Sequence, residues 1–159
     1  MAFLEKLNKK SKGFTLVEIS IAIAVIGILA GIAIPSYLSY RNNAKISQAI
    51  TDLRLIEFEI TDYFYENEEY PDSLSDIGKD DFFDPWGNPY RYLRLDGGKT
   101  EGLNGERRRD KNANPVNSDY DLYSMGQDGK TTAQFTGKKA RDDIVRANDG
   151  EYYGLAENH

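Results

Sequence analysis

The sequence predicts an α+β protein in which one long, kinked amino-terminal helix packs on a small antiparallel β-sheet domain with long loops. An apolar stretch over residues 14–34 runs into an amphipathic stretch over 36–66, and only Pro35 separates them. The rest of the chain combines proline and glycine turns with short alternating segments, which are typical of strands. The sequence predicts four segments: a basic segment at 1–13, an apolar helix at 14–35, an amphipathic helix at 36–66 and a loop-rich β-sheet region at 67–159.

Composition excludes several functional classes. The chain has 20 Lys and Arg against 26 Asp and Glu, a net charge of −6, whereas a nucleic-acid binder needs a basic field to displace counterions. The 159 residues include no cysteine, which excludes disulfides and a cysteine nucleophile. The single histidine is the last residue, His159, and no nucleophile or phosphate-binding motif occurs. We expect neither nucleic-acid binding nor catalysis; a membrane-anchored carboxylate hydrolase is the enzymatic alternative.

The amino-terminal segment has the pattern of a membrane span. Residues 1–13 carry four lysines and one acid, and residues 14–34 form an apolar run of 21 residues whose only charged side chain is Glu18. As a helix this run is about 30 Å long, which is the thickness of a bilayer core. The preceding lysines favour the cytoplasmic side, so the rest of the chain is expected across the membrane.

A secretory signal peptide and a plain membrane anchor are the two alternatives for this segment, and Glu18 argues against both. The apolar region of a signal peptide is usually about 7–15 residues long, shorter than the run found here. A carboxylate inside an apolar run costs on the order of 2–3 kcal/mol or more, and such acids usually have a specific partner. We therefore predict that Glu18 has a partner in the membrane or in an assembly.

The helix is expected to continue beyond Pro35, which removes one backbone donor and should bend it. No glycine or proline interrupts residues 36–66. Apolar residues recur there at helical spacing, which indicates one buried face. This face consists of Ile46, Ile50, Leu53, Ile60 and Phe64, with Ala49 and Ile56 beside it.

The rest of the chain, residues 67–159, has the signals of a turn-rich β domain. A stop-and-turn segment begins at Tyr70, and two proline turns surround Trp86 in DPWGNPY, residues 84–90. The alternating segment 90–95 predicts a strand. Residues 97–118 predict a long loop with little core, in which the arginines at 107–109 form a solvated charge run.

Residues 13–18, GFTLVE, resemble the processing site of type IV pilins and their relatives, and Pro35 matches the helix-kinking proline of that family. The resemblance implies the pilin fold and a prepilin peptidase that cuts between Gly13 and Phe14. Phe14 would become the methylated amino terminus, and Glu18 would hold the fifth position of the mature chain. We expect Glu18 to neutralise the Phe14 amine of a neighbouring subunit, because a charge in lipid is tolerated when it is paired.

The DPWGNPY segment resembles the signature of the major pseudopilin of type II secretion systems. The resemblance implies a helical homopolymer that supports protein export across the outer membrane. It also implies a single pass through the bacterial inner membrane, with the carboxy-terminal domain in the periplasm. The implied partners are minor pseudopilins, the prepilin peptidase and an inner-membrane assembly platform with its ATPase. The alternative is a fibre-forming type IV pilin for adhesion, DNA uptake or electron transfer, which the lack of cysteines disfavours, since many large pilins close a loop with a disulfide.

Residues 119–129, DYDLYSMGQDG, are similar to a calcium-binding segment of major pseudopilins. The resemblance assigns calcium to Asp121 and Asp128, helped by main-chain carbonyls, which is a feasible set for a hard cation. Asp119 and Asp142 are the candidate additional acids.

Two other interpretations of the acidic segment stay open. An EF-hand-like loop would begin at Asp110, but its sixth position is Pro115, where the sharp turn needs glycine. The other interpretation is a solvated acidic turn without metal.

Overall fold

The structure, a computed structural model, describes residues 13–95 and 105–159. The leader residues 1–12 and the part of the predicted loop at 96–104 lie outside the described residues. By internal contacts the chain forms two compact units, Met1–Arg41 and Asn42–His159.

The dominant element is helix α1, Leu16–Asn67, which is 52 residues long and passes through Pro35. The bend expected at Pro35 stays a prediction. Within the second unit, Leu53 and Ile60 of the predicted apolar face and the flanking Ala49 and Ile56 are fully shielded from solvent. The other three residues of that face are half-buried: Ile46, Ile50 and Phe64. A 3-10 turn, Leu74–Ile77, follows the helix, and Gly78 ends it in the left-handed conformation.

Four short strands form one antiparallel sheet in the order β1-β2-β3-β4. The strands are β1 Arg91–Arg94, β2 Tyr120–Ser124, β3 Ile144–Ala147 and β4 Tyr152–Leu155. The predicted α+β fold, a long helix on a small antiparallel sheet, is confirmed. The carboxy-terminal tail, for which the sequence suggested no element, supplies β4.

Both faces of the sheet are covered. Successive side chains of a strand point to opposite faces, and each face packs in its own cluster. On one face, Tyr120, Leu122 and Ile144 pack with the buried face of α1. On the other face, Val145 and Ala147 pack with Val116, Phe135 and Ala156 from the loops and the tail. These two clusters bury β2 and β3 on both sides and account for the absence of an alternating burial pattern in β3.

The prediction of a loop with little core over 97–118 is wrong for its described part. Arg108 is 2% exposed, and Val116 and Asn117 are buried with it. The loop joins the residues that cover the sheet on the face opposite α1, which we call the second layer. Its polar residues contact buried partners there. The prediction of a solvated charge run is therefore wrong for Arg108.

Candidate functional site

Glu18, the acid predicted to act in assembly, lies in the first turn of α1. The Glu18 carboxylate accepts hydrogen bonds from the Thr15 backbone N–H (2.8 Å) and the Thr15 hydroxyl (2.9 Å). The Thr15 hydroxyl in turn accepts from the Glu18 backbone N–H at 3.2 Å. This reciprocal arrangement is a capping box, which satisfies donors at the first turn. Glu18 thus caps its own helix, a role that the T-x-x-E spacing signals but that the sequence interpretation missed.

The first half of α1 exposes its apolar side chains. By length and composition, α1 is the one helix in the described part of the chain that is suited to crossing a membrane. Phe14 is 83% exposed and Ile32 is 68% exposed. A helix that is apolar all round is stable only where lipid or other helices cover it. The amino-terminal unit therefore needs a membrane or an assembly around it.

The DPWGNPY segment is tied to the DLYSMG segment by hydrogen bonds. Asp84, which is 5% exposed, accepts from the backbone N–H groups of Trp86 (3.0 Å) and Asn88 (2.8 Å) and from the Ser124 hydroxyl (2.5 Å). The Asn88 side chain donates to the Gly126 carbonyl at 2.8 Å. Two motifs that lie about 40 residues apart in sequence thus form one structural junction.

Replacing Asp84 with alanine is expected to destabilise the folded domain by about 2–3 kcal/mol, because it leaves buried donors without an acceptor. The measurement is urea unfolding of residues 36–159. The matched control is Asp80→Ala, since Asp80 is an exposed acid four residues away, and it should change stability by less than about 0.5 kcal/mol. Equal effects of the two substitutions would contradict the junction.

The four acids predicted for calcium do not converge. Asp119 pairs with Arg146 at 2.7 Å. Asp121 is fully buried, and its carboxylate accepts from the Arg108 backbone N–H at 2.7 Å and from the Asn117 side chain at 2.9 Å. Burial raises the pKa of Asp121 above its ordinary value, against these hydrogen bonds.

The structure brings Asp128 and Asp142 together instead. The Asp142 carboxylate accepts from the Asp128 backbone N–H at 3.0 Å. Gly126 has positive φ and lies directly against the Asp142 backbone, so a side chain at position 126 would collide with the loop that carries Asp142. Within residues 13–95 and 105–159, no three acidic or histidine side chains converge as a metal cluster would require. Of the four acids, Asp128 and Asp142 are thus the two that contact each other.

A buried ion pair holds the second layer to the sheet. The Arg108 guanidinium contacts the Asp143 carboxylate at 2.5 Å, and the two side chains are 2% and 0% exposed. Arg108 also donates to the Thr132 carbonyl at 2.7 Å and lies 4.2 Å from the ring centroid of Tyr123. Burial raises the pKa of Asp143 to about 6, although Arg108 opposes that rise. No sequence signal marked this pair, because its members lie 35 residues apart.

A second buried arginine connects the sheet to α1. Arg146 on β3 bonds to Glu57 on the helix at 2.8 Å and to Asp119 at 2.7 Å. Its guanidinium lies 4.1 Å from the ring centroid of Tyr120, and Tyr153 donates to the same Glu57. The hydrogen bonds to Asp119 and Glu57 hold the pKa of Arg146 above its ordinary value against the effect of burial. These polar groups therefore bind one another and stabilise the fold.

Comparison with known proteins agrees with these features. A family model for the prokaryotic N-terminal methylation motif matches residues 8–34. The type II secretion system core protein G of Pseudomonas aeruginosa is 29% identical over 77% of this chain and 88% of its own length. The protein of that name from Vibrio cholerae is 26% identical over 83% of this chain and 91% of its own length. The type IV major pilin protein PilE of Neisseria gonorrhoeae is 29% identical over 91% of this chain and 90% of its own length. No solved structure matches the chain significantly.

The prepilin-type amino terminus, the exposed apolar helix and the helix-on-sheet domain define a class of membrane-anchored filament subunits. The chain carries the amino-terminal methylation motif and is similar to type IV pilin-like proteins. Within that class, it resembles core protein G of type II secretion systems along most of its length.

Proposed function

We propose that this chain is the major pseudopilin of a type II secretion system, a structural subunit of a short periplasmic filament. The observation that carries the proposal is an apolar helix that has no cover in its own unit and begins at a methylation motif. Similarity to two core G proteins over more than three quarters of this chain supports the secretion role in particular. The filament supports export of folded proteins across the outer membrane, and the chain itself catalyses no step.

Maturation and topology follow from the same segment. A prepilin peptidase cuts between Gly13 and Phe14 and methylates the Phe14 amine, which keeps its positive charge near neutral pH. The four leader lysines hold the amino terminus in the cytoplasm. The chain therefore crosses the inner membrane once and places its folded domain in the periplasm. An assembly platform and its ATPase extract the processed subunits, and minor pseudopilins join the filament.

Assembly replaces lipid contacts with contacts between helices. Identical subunits that repeat one heterologous contact generate a helical filament. Packing of α1 helices covers the apolar side chains between residues 14 and 40, and Gly27 and Gly31 permit close approach, since nothing lies near either position. In this arrangement Glu18 of one subunit faces the Phe14 amine of a neighbour, which neutralises both charges away from water.

The second candidate function is a fibre-forming type IV pilin. The observation in its favour is the similarity to Neisseria PilE, which covers 91% of this chain at 29% identity. A surface pilin needs the same processing and the same helix packing, so the amino-terminal unit does not separate the two functions.

A strain that lacks this chain distinguishes the secretion pseudopilus from the type IV pilin. Its culture supernatant and its sheared surface fibres are compared with those of the parent strain by quantitative mass spectrometry. The secretion pseudopilus predicts loss of secreted proteins from the supernatant while surface fibres are unchanged. Loss of fibres with a normal set of secreted proteins would contradict the secretion role and favour the pilin.

We also propose that the periplasmic domain binds calcium through Asp128 and Asp142 with main-chain carbonyls. Their adjacency supports this pair. The carboxylate of Asp121, which the family resemblance suggested, is directed at Arg108 and Asn117 instead. A bound cation would hold together the two loops that carry these acids.

Calcium is expected to raise the melting temperature of residues 36–159 relative to the same protein in chelator. A ligand that binds only the folded state at 100 times its Kd stabilises by about 2.7 kcal/mol, which corresponds to a shift on the order of 10 °C. The shift should disappear in Asp128→Asn and persist in Asp121→Asn. Equal melting temperatures with calcium and with chelator would contradict the calcium site. Loss of the shift in both Asp121→Asn and Asp128→Asn would instead favour the assignment that the family resemblance implies.

A further inference from the structure

The domain Asn42–His159 carries opposite charges at its two ends. The acidic cap, as we name it, lies where α1 ends and consists of five exposed acids without a base among them, Glu66, Glu68, Glu69, Asp72 and Asp76. The basic segment consists of four exposed bases without an acid among them, Lys130, Lys138, Lys139 and Arg141. Such separation of charge within one small domain favours head-to-tail contact between copies.

The geometry of α1 separates the two regions. Lys138 and Arg141 share a cleft with Asn42 and Ile46, near the point where α1 enters this unit. Glu66 lies in the last turn of α1, 20 residues beyond Ile46. At 1.5 Å per residue this distance is about 30 Å. The acidic cap and the basic segment of one molecule are therefore too far apart to neutralise each other.

Contacts within the chain leave much of this charge uncompensated. In the acidic cap, Arg94 pairs with Glu69 at 3.6 Å and with Asp72 at 3.1 Å. Over residues 13–95 and 105–159, the side chains of Glu66, Glu68 and the four bases form no ion pair or hydrogen bond. The Lys130 backbone N–H donates to Asp128. The acids that border the basic segment are Asp128, Asp142 and Glu157.

We propose that the acidic cap of one subunit docks on the basic segment of the next copy of this chain. The inference rests on the proposed filament and names a contact between its periplasmic domains. The two surfaces differ, so the contact is heterologous, and a heterologous contact that does not close on itself propagates as a helical filament. Apolar packing of α1 is non-directional, so register and orientation come from polar contacts. The Glu18–Phe14 pair is one such contact, and the meeting of opposite charges between the periplasmic domains is a second that disfavours the reversed arrangement.

The test reverses each region separately and then both together, in the full-length chain expressed in its host. The base-reversed variant is Lys138→Glu with Lys139→Glu, and the acid-reversed variant is Glu66→Lys with Glu68→Lys. Folding should survive both pairs of changes, since all four side chains are exposed. A lysine at 66 also suits the carboxy-terminal turn of a helix. The matched control is Glu106→Lys with Glu151→Lys, which changes net charge as the acid-reversed variant does but at exposed positions outside the cap.

We expect each reversed variant to lose at least about tenfold of its sedimentable filament, because like charges then face each other. The control should assemble like the parent. The chain with both regions reversed should regain filament, and so should co-expression of the two reversed variants, since each pairs with the other. Membrane levels of processed chain report folding and maturation in every case.

Two results would overturn this contact alone. Reversed variants that assemble at parental levels would show that the contact is absent and would leave the proposed function intact. Loss in both reversed variants without recovery in the combined chain would show that the two regions do not pair. A parent chain that forms no filament at all would instead overturn the proposed function together with this contact.

Discussion

Replacing Glu18 with alanine is expected to reduce filament assembly by about a hundredfold or more. Removing one partner of a buried ion pair costs about 3–5 kcal/mol, because the other charge is left unpaired away from water. Here the unpaired charge would be the Phe14 amine of a neighbouring subunit. The measurement is the fraction of processed chain that sediments as filament after detergent extraction, compared with the membrane-bound pool.

The capping box supplies a competing explanation for such a loss, since Glu18 also accepts hydrogen bonds from Thr15. Two further variants separate charge from capping. Glu18→Gln keeps an acceptor for the cap but removes the charge, so it should fail like alanine. Thr15→Ala removes the reciprocal cap and keeps the charge, so it should assemble with only a modest loss of helix stability of about 1 kcal/mol. Assembly by Glu18→Gln at parental levels would refute charge pairing and leave capping as the role of this residue.

The second large effect is expected at Arg108. Substitution by methionine removes the guanidinium from its pair with Asp143 and leaves a fully buried carboxylate without its cation. We expect the free energy of unfolding of residues 36–159 to fall by about 3–5 kcal/mol, a large part of the stability of a typical domain. Urea unfolding at pH 7 measures this.

A double-mutant cycle identifies the cause. When Asp143→Leu is combined with Arg108→Met, much of the lost stability should return, since replacing a whole buried pair with apolar residues is often neutral. Lys139→Met serves as the control at an exposed base and should change stability by less than about 0.5 kcal/mol. A loss below 1 kcal/mol in Arg108→Met would favour the solvated charge run that the sequence suggested.

Local patterns determine much of this fold, and these are visible in sequence. The apolar spacing that includes Leu53 and Ile60, with Ala49 and Ile56 beside it, predicted the buried face of α1, because helical periodicity sets which side chains share a face. The alternating segment before residue 95 likewise predicted a strand, which the structure places at Arg91–Arg94. In both cases the pattern that predicts the structure lies within one element.

The second layer over the sheet was not predictable in this way. A run of three arginines ordinarily indicates a solvated loop, and the burial of Arg108 depends on Asp143 and Phe135, which come from distant parts of the chain. The tail escaped prediction for a similar reason. Its segment Tyr152–Leu155 is short, and it becomes a strand through pairing with β3.

The candidate calcium acids illustrate the same limit. Asp121 and Asp128 lie close in sequence, but Asp121 belongs to a strand and faces buried donors, whereas Asp128 lies in the turn that follows. The proximity of Asp128 to Asp142 depends on how two loops meet beside Gly126. The family resemblance identified the acidic segment as a candidate, and only the tertiary arrangement distinguishes among its members.

The central claim is that this chain is a processed subunit of a filament, and the most direct test is the intact mass of the chain in isolated filaments. Filaments are sedimented from the parent strain, and their protein is analysed by mass spectrometry. The claim predicts abundant chain that begins at Phe14 and carries one added methyl group. Filament fractions without the chain, or a chain that keeps its leader while the cells otherwise assemble normal filaments, would contradict it.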